Sequence, residues 1–347
     1  MTRELRVSIG DSTIEQRIQG RACIFLDMSV WIDLADEKHE LARRVRKLLC
    51  ALAESGRLFC PLSHVTLLEL WKQDHESISR AARLMERVSL NLTFARKDEI
   101  FTKELQNFIF KFSKAGRKIL ERSEVLAPVS AYLSSQGKIH FPEGWSEESS
   151  NRLVTYLQSR LGSMTVSELV ELHKGKTRGA VPEDSQAYYS RAWKERWKVT
   201  KGVRGRMRRI EEEKIAQAII IPRINAMRAV LPTPLQLKFL QWMRSLPKDR
   251  YGGVLTSILP ELPAIRNEIE MLTVAGLDPN RKPTMNDFLD VEEIAVPLAY
   301  AEVFVARDKW IRNLLSRRSG ILTWNKCLFI GSLGSFDSFL TELSQSR

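Results

Sequence analysis

The chain has 347 residues, of which 44% are hydrophobic, so it can bury a sizeable core and is not a wholly disordered polymer. Its 54 lysines and arginines against 42 aspartates and glutamates leave a net charge of +12, which favours a polyanionic partner, with nucleic acid first and an anionic membrane surface second. The sequence contains no run of about 18 apolar residues, and "MTRELRVSIGDSTIEQR" at its start lacks the apolar centre of a signal peptide. These features predict a cytoplasmic chain without a membrane partner.

In chain order, "ACIFL" reads as a buried strand over 22–26 that stops on Asp27. A short helix is predicted from Ser29, then the amphipathic helix "LARRVRKLLCALAES", ended by Gly56. A second short strand, "RLFCP", is followed by the helical patterns "SHVTLLELWKQ" and "SISRAARLMERVSLNL". Alternating strands and helices predict a parallel sheet covered on both faces, because parallel strands need crossover connections. From about residue 98 the periodicities turn mainly helical, as in "DEIFTKELQNFIFKFSKAGRKILERSEV", "SEESSNRLVTYLQSRL", "RRIEEEKIAQAIIIPRINAMRAVL" and "PLQLKFLQWMRSL". After Pro283 the α/β rhythm returns. Here "TMNDFLDVEEIAVPLAY" reads as a helix opened by Thr284 or Asn286, "EVFVAR" as a strand, "KWIRNLLSR" as a helix, "CLFIGSL" as a last strand and "FDSFLTELSQ" as a last helix. The expected organisation is an α/β core in two pieces, 20–97 and 276–347, around a basic, mainly α-helical insertion at 98–275.

Two of these strands end on an acid, Asp27 and Asp308, each just before a helix. Helix capping explains either one alone. In an open parallel sheet, however, the carboxyl ends of the strands share one rim, where ligands bind. Glu69 lies on a helix that starts from the same rim, and Asp290 lies near the start of the helix before the Asp308 strand. Four carboxylates on one edge repel each other unless a cation neutralises them. The five histidines and the cysteines Cys23, Cys50, Cys60 and Cys327 show no zinc-ligand spacing, so an oxygen-bound hard cation, Mg²⁺ or Mn²⁺, is expected. Such a cation polarises a phosphoryl oxygen and promotes attack by water.

These residues resemble the PIN domain family, a nuclease fold typical of bacterial toxins and RNA-processing ribonucleases. The resemblance rests on "IFLDMSVWI", with Asp27 and Ser29, on "VTLLELW", with Glu69, and on "NDFLDVEEIAVPLAYAEVFVARDKWI", with Asp290 and Asp308. It spans roughly 20–92 and 283–335, and the middle of the chain carries no signature of the family. It implies a three-layer α/β/α PIN-like fold with a central parallel sheet, and a metal-dependent endoribonuclease acting on single-stranded or structured RNA. Asp27, Glu69, Asp290 and Asp308 would then be both catalytic and metal-binding. Ser29, Asp287 and Glu302 are accessory candidates; Glu302 stands where the family often has Asp. By family analogy the chain is a toxin or antiviral defence effector, with an antitoxin or regulatory protein and a second copy of itself as further partners. The alternatives are a DNA-directed nuclease of the same fold and a non-cleaving nucleic-acid adaptor.

The stretch "RAWKERWKVTKGVRGRMRR" carries nine cations against one acid, Glu195. Its candidate nucleic-acid contacts are Arg191, Lys194, Arg196, Lys198, Lys201, Arg204, Arg206, Arg208 and Arg209 for phosphates, with Trp193 and Trp197 for stacking on bases. A solvated helix whose tryptophans pack inward explains the same pattern equally well.

Overall fold

The computed structural model of the protein describes residues 2–6, 12–111, 119–132, 136–140, 146–172, 206–228, 233–245, 255–277, 285–316 and 320–345. Eight strands occur among them: β1 (Thr2–Arg6), β2 (Ala22–Leu26), β3 (Leu58–Phe59), β4 (Leu92–Phe94), β5 (Leu126–Pro128), β6 (Gln136–His140), β7 (Val303–Val305) and β8 (Leu328–Ile330). Four of them form one parallel sheet in the order β3-β2-β7-β8. The chain leaves β2 for β3 on one side, and β7 later pairs with β2 on the other. That reversal makes the β2/β7 junction the switch point of the sheet.

The apolar run of β2 follows from burial on both faces. Cys23 and Phe25 point into one half of the core, Ile24 and Leu26 into the other. The same alternation sends Phe304 one way and Val303 and Val305 the other. On the first face Phe25 packs against Phe304 at 5.6 Å between ring centroids, and Phe304 against Phe329 at 5.6 Å, an aromatic row across three strands. Helices Met28–Asp36, Glu40–Glu54, His75–Ser89 and Leu333–Gln345 cover the second face. Helices Lys97–Phe110, Pro263–Leu277, Met285–Tyr300 and Lys309–Leu314 cover the first. The architecture is therefore mixed α/β and mostly helical, with a parallel sheet between two helical layers.

The span 98–275 does not stand apart from this core. Ile100, Phe101, Ile215, Phe239, Ile265 and Ile269 all bury their side chains in the first-face cluster. The helices at the two ends of the span thus supply part of the layer that the sheet itself requires. The span also contains β5 and β6, which pair antiparallel with β4 and β1 outside the main sheet. Helical periodicity runs past its true end in two places. The helix His75–Ser89 stops where Leu90 and Asn91 take φ of +58° and +50°, and the chain turns into β4. The helix Lys97–Phe110 ends well short of Arg122–Val125, which form a separate 3₁₀ turn. Asn286 lies inside the helix Met285–Tyr300 rather than capping it, and Thr284 lies outside the described residues.

Gly56 does close the Glu40–Glu54 helix, with φ +77° in the left-handed region that glycine enters without a Cβ penalty. All four cysteines are free and buried. Burial pushes the Cys327 thiol up to about 12, where it is inert as a nucleophile. Among the described residues no helix is long and apolar enough to cross a membrane.

Candidate metal centre

Asp27 follows β2 directly, and its backbone N–H donates to the carbonyl of Val305 at 2.9 Å, which places it beside the end of β7. The carboxylate caps the Met28–Asp36 helix, accepting from the Ser29 N–H at 3.2 Å and from the Ser29 hydroxyl. Ser29 thus both receives the cap and holds the acid. Asp308 does the same for the Lys309–Leu314 helix, accepting from Trp310 N–H at 2.6 Å and Ile311 N–H at 3.0 Å. Both bonds fall on Oδ1, and Oδ2 takes none among the described residues. Capping is therefore real at both positions. It does not remove the charge, and the two acids share one rim.

Electrostatics tie the remaining acids to the same place. Burial raises the Asp27 carboxyl above its ordinary value; the Ser29 bonds oppose this, and the nearby Asp308 carboxylate adds to it. The Glu69 carboxyl is raised by burial and by Asp27, against a lowering by Lys72. Asp290 is pushed up to about 7, first by burial and then by Glu69, Asp27, Asp308 and Asp287 in turn. Asp27, Glu69 and Asp290 thus each feel other acids of the set across long stretches of chain. Asp287, buried one turn before Asp290, adds to the same negative field.

Two more acids belong to this region and escaped the sequence reading. Glu293 is only 2% exposed and accepts from the Thr66 hydroxyl at 2.6 Å and the Ser63 hydroxyl at 3.1 Å. Burial, with Asp27 and Glu69 behind it, drives its carboxyl well above the ordinary range. Its signal was helical spacing, three residues after Asp290 and so on the same side of the helix. Asp33 pairs with Arg307 and, at 3.5 Å, with Lys38. Because Arg307 precedes Asp308, this pair fastens the Met28–Asp36 helix to the end of β7.

An open cavity of about 590 Å³ lies on this rim, lined among others by Ser29, Glu69 and Asp308, with Lys38, Lys72, Arg307 and Lys309 around them. Asp27 and Asp290 are not part of its lining. A larger cavity, about 1170 Å³, opens at the other end of the strands beside Arg21, Arg57, Arg122, Glu302 and Val303 and contains none of the four acids.

Glu302 is the accessory candidate that the structure moves elsewhere. It precedes β7, whereas Asp308 follows it, so a whole strand separates them and they face opposite rims. Its carboxylate accepts from Cys23 N–H at 2.6 Å and pairs with Arg122 at 2.8 Å. Glu302→Ala is expected to cost about 1 kcal/mol of stability, a charged hydrogen bond discounted for its exposure. Urea denaturation checks this, and activity per folded molecule should not change.

Of the basic stretch, Arg191, Trp193, Lys194, Arg196, Trp197, Lys198, Lys201 and Arg204 lie outside the described residues. Arg206, Arg208 and Arg209 open the helix Arg206–Arg228, where Arg208 pairs with Glu212 at 2.9 Å.

The donor set suits a hard cation in its chemistry, since it offers only oxygens. Among the described residues, no group of three or more Asp, Glu, His or Cys side chains is set closely enough to hold a metal ion as it stands. Searches of family models, curated proteins and solved structures returned no match to this chain.

Proposed function

We propose that the chain is a metal-dependent endonuclease that hydrolyses phosphodiester bonds, with RNA as the favoured substrate and a PIN-like core as its scaffold. The observation that carries this reading is the shared field of Asp27, Glu69, Asp290 and Asp308 at the sheet's switch point. Burial and mutual repulsion raise the Asp27, Glu69 and Asp290 carboxyls, the pattern that groups kept for function show.

Asp27, Asp308, Glu69 and Asp290 would hold one or more Mg²⁺ or Mn²⁺ ions. The bound ion supplies Lewis-acid polarisation of a phosphoryl oxygen and lowers the pKa of water. The protein's own part is orientation and charge. Ser29 fixes one Asp27 oxygen, and the two N–H groups at the start of the Lys309–Leu314 helix fix Oδ1 of Asp308. Oδ2 of Asp308, which faces no partner among the described residues, is the oxygen left to bind. Glu69 and Asp290, both partly buried, would supply the remaining carboxylate oxygens.

The test is cleavage of labelled RNA and DNA strands of one sequence, with Mn²⁺ or with EDTA. RNA cleavage that needs Mn²⁺ is expected. Faster cleavage of DNA would reassign the substrate, and binding without cleavage in any divalent metal would make the chain a nucleic-acid adaptor.

A further inference from the structure

The cavity on the acidic rim is lined by four cations, and their circumstances differ. Lys38 is neutralised by Asp33 at 3.5 Å and Asp36 at 3.8 Å, and Arg307 by Asp33. Lys72 and Lys309 make no ion pair among the described residues, although both line the same space as Glu69 and Asp308. Two cations thus serve the fold and two are left over.

The position of Lys309 opposes its own helix. It is the first residue of Lys309–Leu314, where the partial positive charge of the helix end disfavours a cation. Among the described residues it makes no ion pair, and the Oδ1 of the adjacent Asp308 is already committed to two backbone N–H groups. Lys72 follows the His64–Leu70 helix and is close enough to oppose, in part, the rise that burial imposes on the Glu69 carboxyl. The two ammonium groups therefore come from different elements, one next to Glu69 and one next to Asp308.

We propose that Lys72 and Lys309 position two backbone phosphates of a polynucleotide strand across the part of the rim that carries Glu69 and Asp308. The inference rests on the nuclease reading for what happens between those phosphates, but not for the binding itself. A strand approaching a group of carboxylates is repelled unless rim cations meet its charge, and a lysine does so as a point charge that reads no sequence. A space of about 590 Å³ also falls in the range of sites that hold a molecule of nucleotide size, not a lone phosphate group.

The experiment measures affinity for a short fluorescent RNA strand by anisotropy over a range of monovalent salt. It uses the Asp27→Asn protein in EDTA, so that no turnover intervenes. Each phosphate contact contributes about 0.7 to the slope of log K against log salt for a single strand, so Lys72→Met and Lys309→Met should each flatten the slope by about 0.7 and together by about 1.4. Lys38→Met should leave it unchanged. A nucleoside monophosphate should displace the strand only weakly. An unchanged slope in the double variant overturns the proposal, as does displacement by the monophosphate as effective as by unlabelled strand. Flattened slopes in a protein whose wild type cleaves nothing would support the lysine assignment and remove the nuclease reading, so the two failures are distinguishable.

Discussion

Asp27→Asn is expected to lower Mn²⁺-dependent cleavage of RNA by about 10³-fold or more, roughly 4 kcal/mol of transition-state stabilisation, while the protein stays folded. The isosteric amide keeps an oxygen for the Ser29 cap, and Asn is as good a cap as Asp. What it loses is charge. That charge raises the Glu69, Asp290 and Glu293 carboxyls, so removing it relieves repulsion, and thermal stability in EDTA should hold or rise. The paired result, activity lost with stability kept, separates a working carboxylate from a structural one. If expression of the wild type arrests growth of a host cell, as a toxin would, the same substitution should lift the arrest. A variant that retains more than a tenth of wild-type cleavage removes Asp27 from the assigned role.

The sequence made this part of the molecule readable because apolar runs buried on two faces are unambiguous, and because an acid that ends such a run has a fixed place on the rim. Asp27 and Asp308 were legible on that ground, and the sheet order β3-β2-β7-β8 brings their two strands together. Glu302 was misplaced for a reason that strand direction could have exposed. An acid before a parallel strand and an acid after it sit at opposite ends, however near they are in sequence. Glu293 and Asp33 were missed because helical spacing says which acids share a side, not which side is buried. The short strands β4 and β5, three residues each, are below the length at which alternation can be told from a helix turn. The helices of 98–275 looked like an insertion because their apolar faces do not announce what they cover. What some of them cover is the core on the first face of the sheet, where Ile100, Phe101 and Ile265 are buried with Phe25 and Phe304.

A second large effect follows from the raised carboxyls. In the folded chain Asp290 titrates at about 7 instead of 3.8, and Asp27, Glu69 and Glu293 are also raised. Folded protein therefore keeps protons that the unfolded chain has already released. The stability these groups contribute is fully present below the unfolded pKa and is lost as pH rises through the folded value, which for Asp290 spans about 3.8 to 7. Net positive charge also falls as pH rises, an effect of opposite sign, so the informative quantity is the difference between wild type and Asp290→Asn. In EDTA, the variant should gain stability over wild type on going from about pH 5 to about pH 8, by the protons it no longer has to lose. Mn²⁺ should reverse that order. It competes with protons for the same oxygens, so it should stabilise wild type at about pH 8, by about 2.7 kcal/mol at a free concentration of about 100 times its dissociation constant, and far less at about pH 5. Thermal melts of both proteins, with Mn²⁺ or EDTA at the two pH values, give the comparison. A Mn²⁺ shift of equal size at both pH values, or one that survives in both Asp290→Asn and Asp27→Asn, would mean that the ion binds elsewhere and that the clustered acids hold protons, not metal.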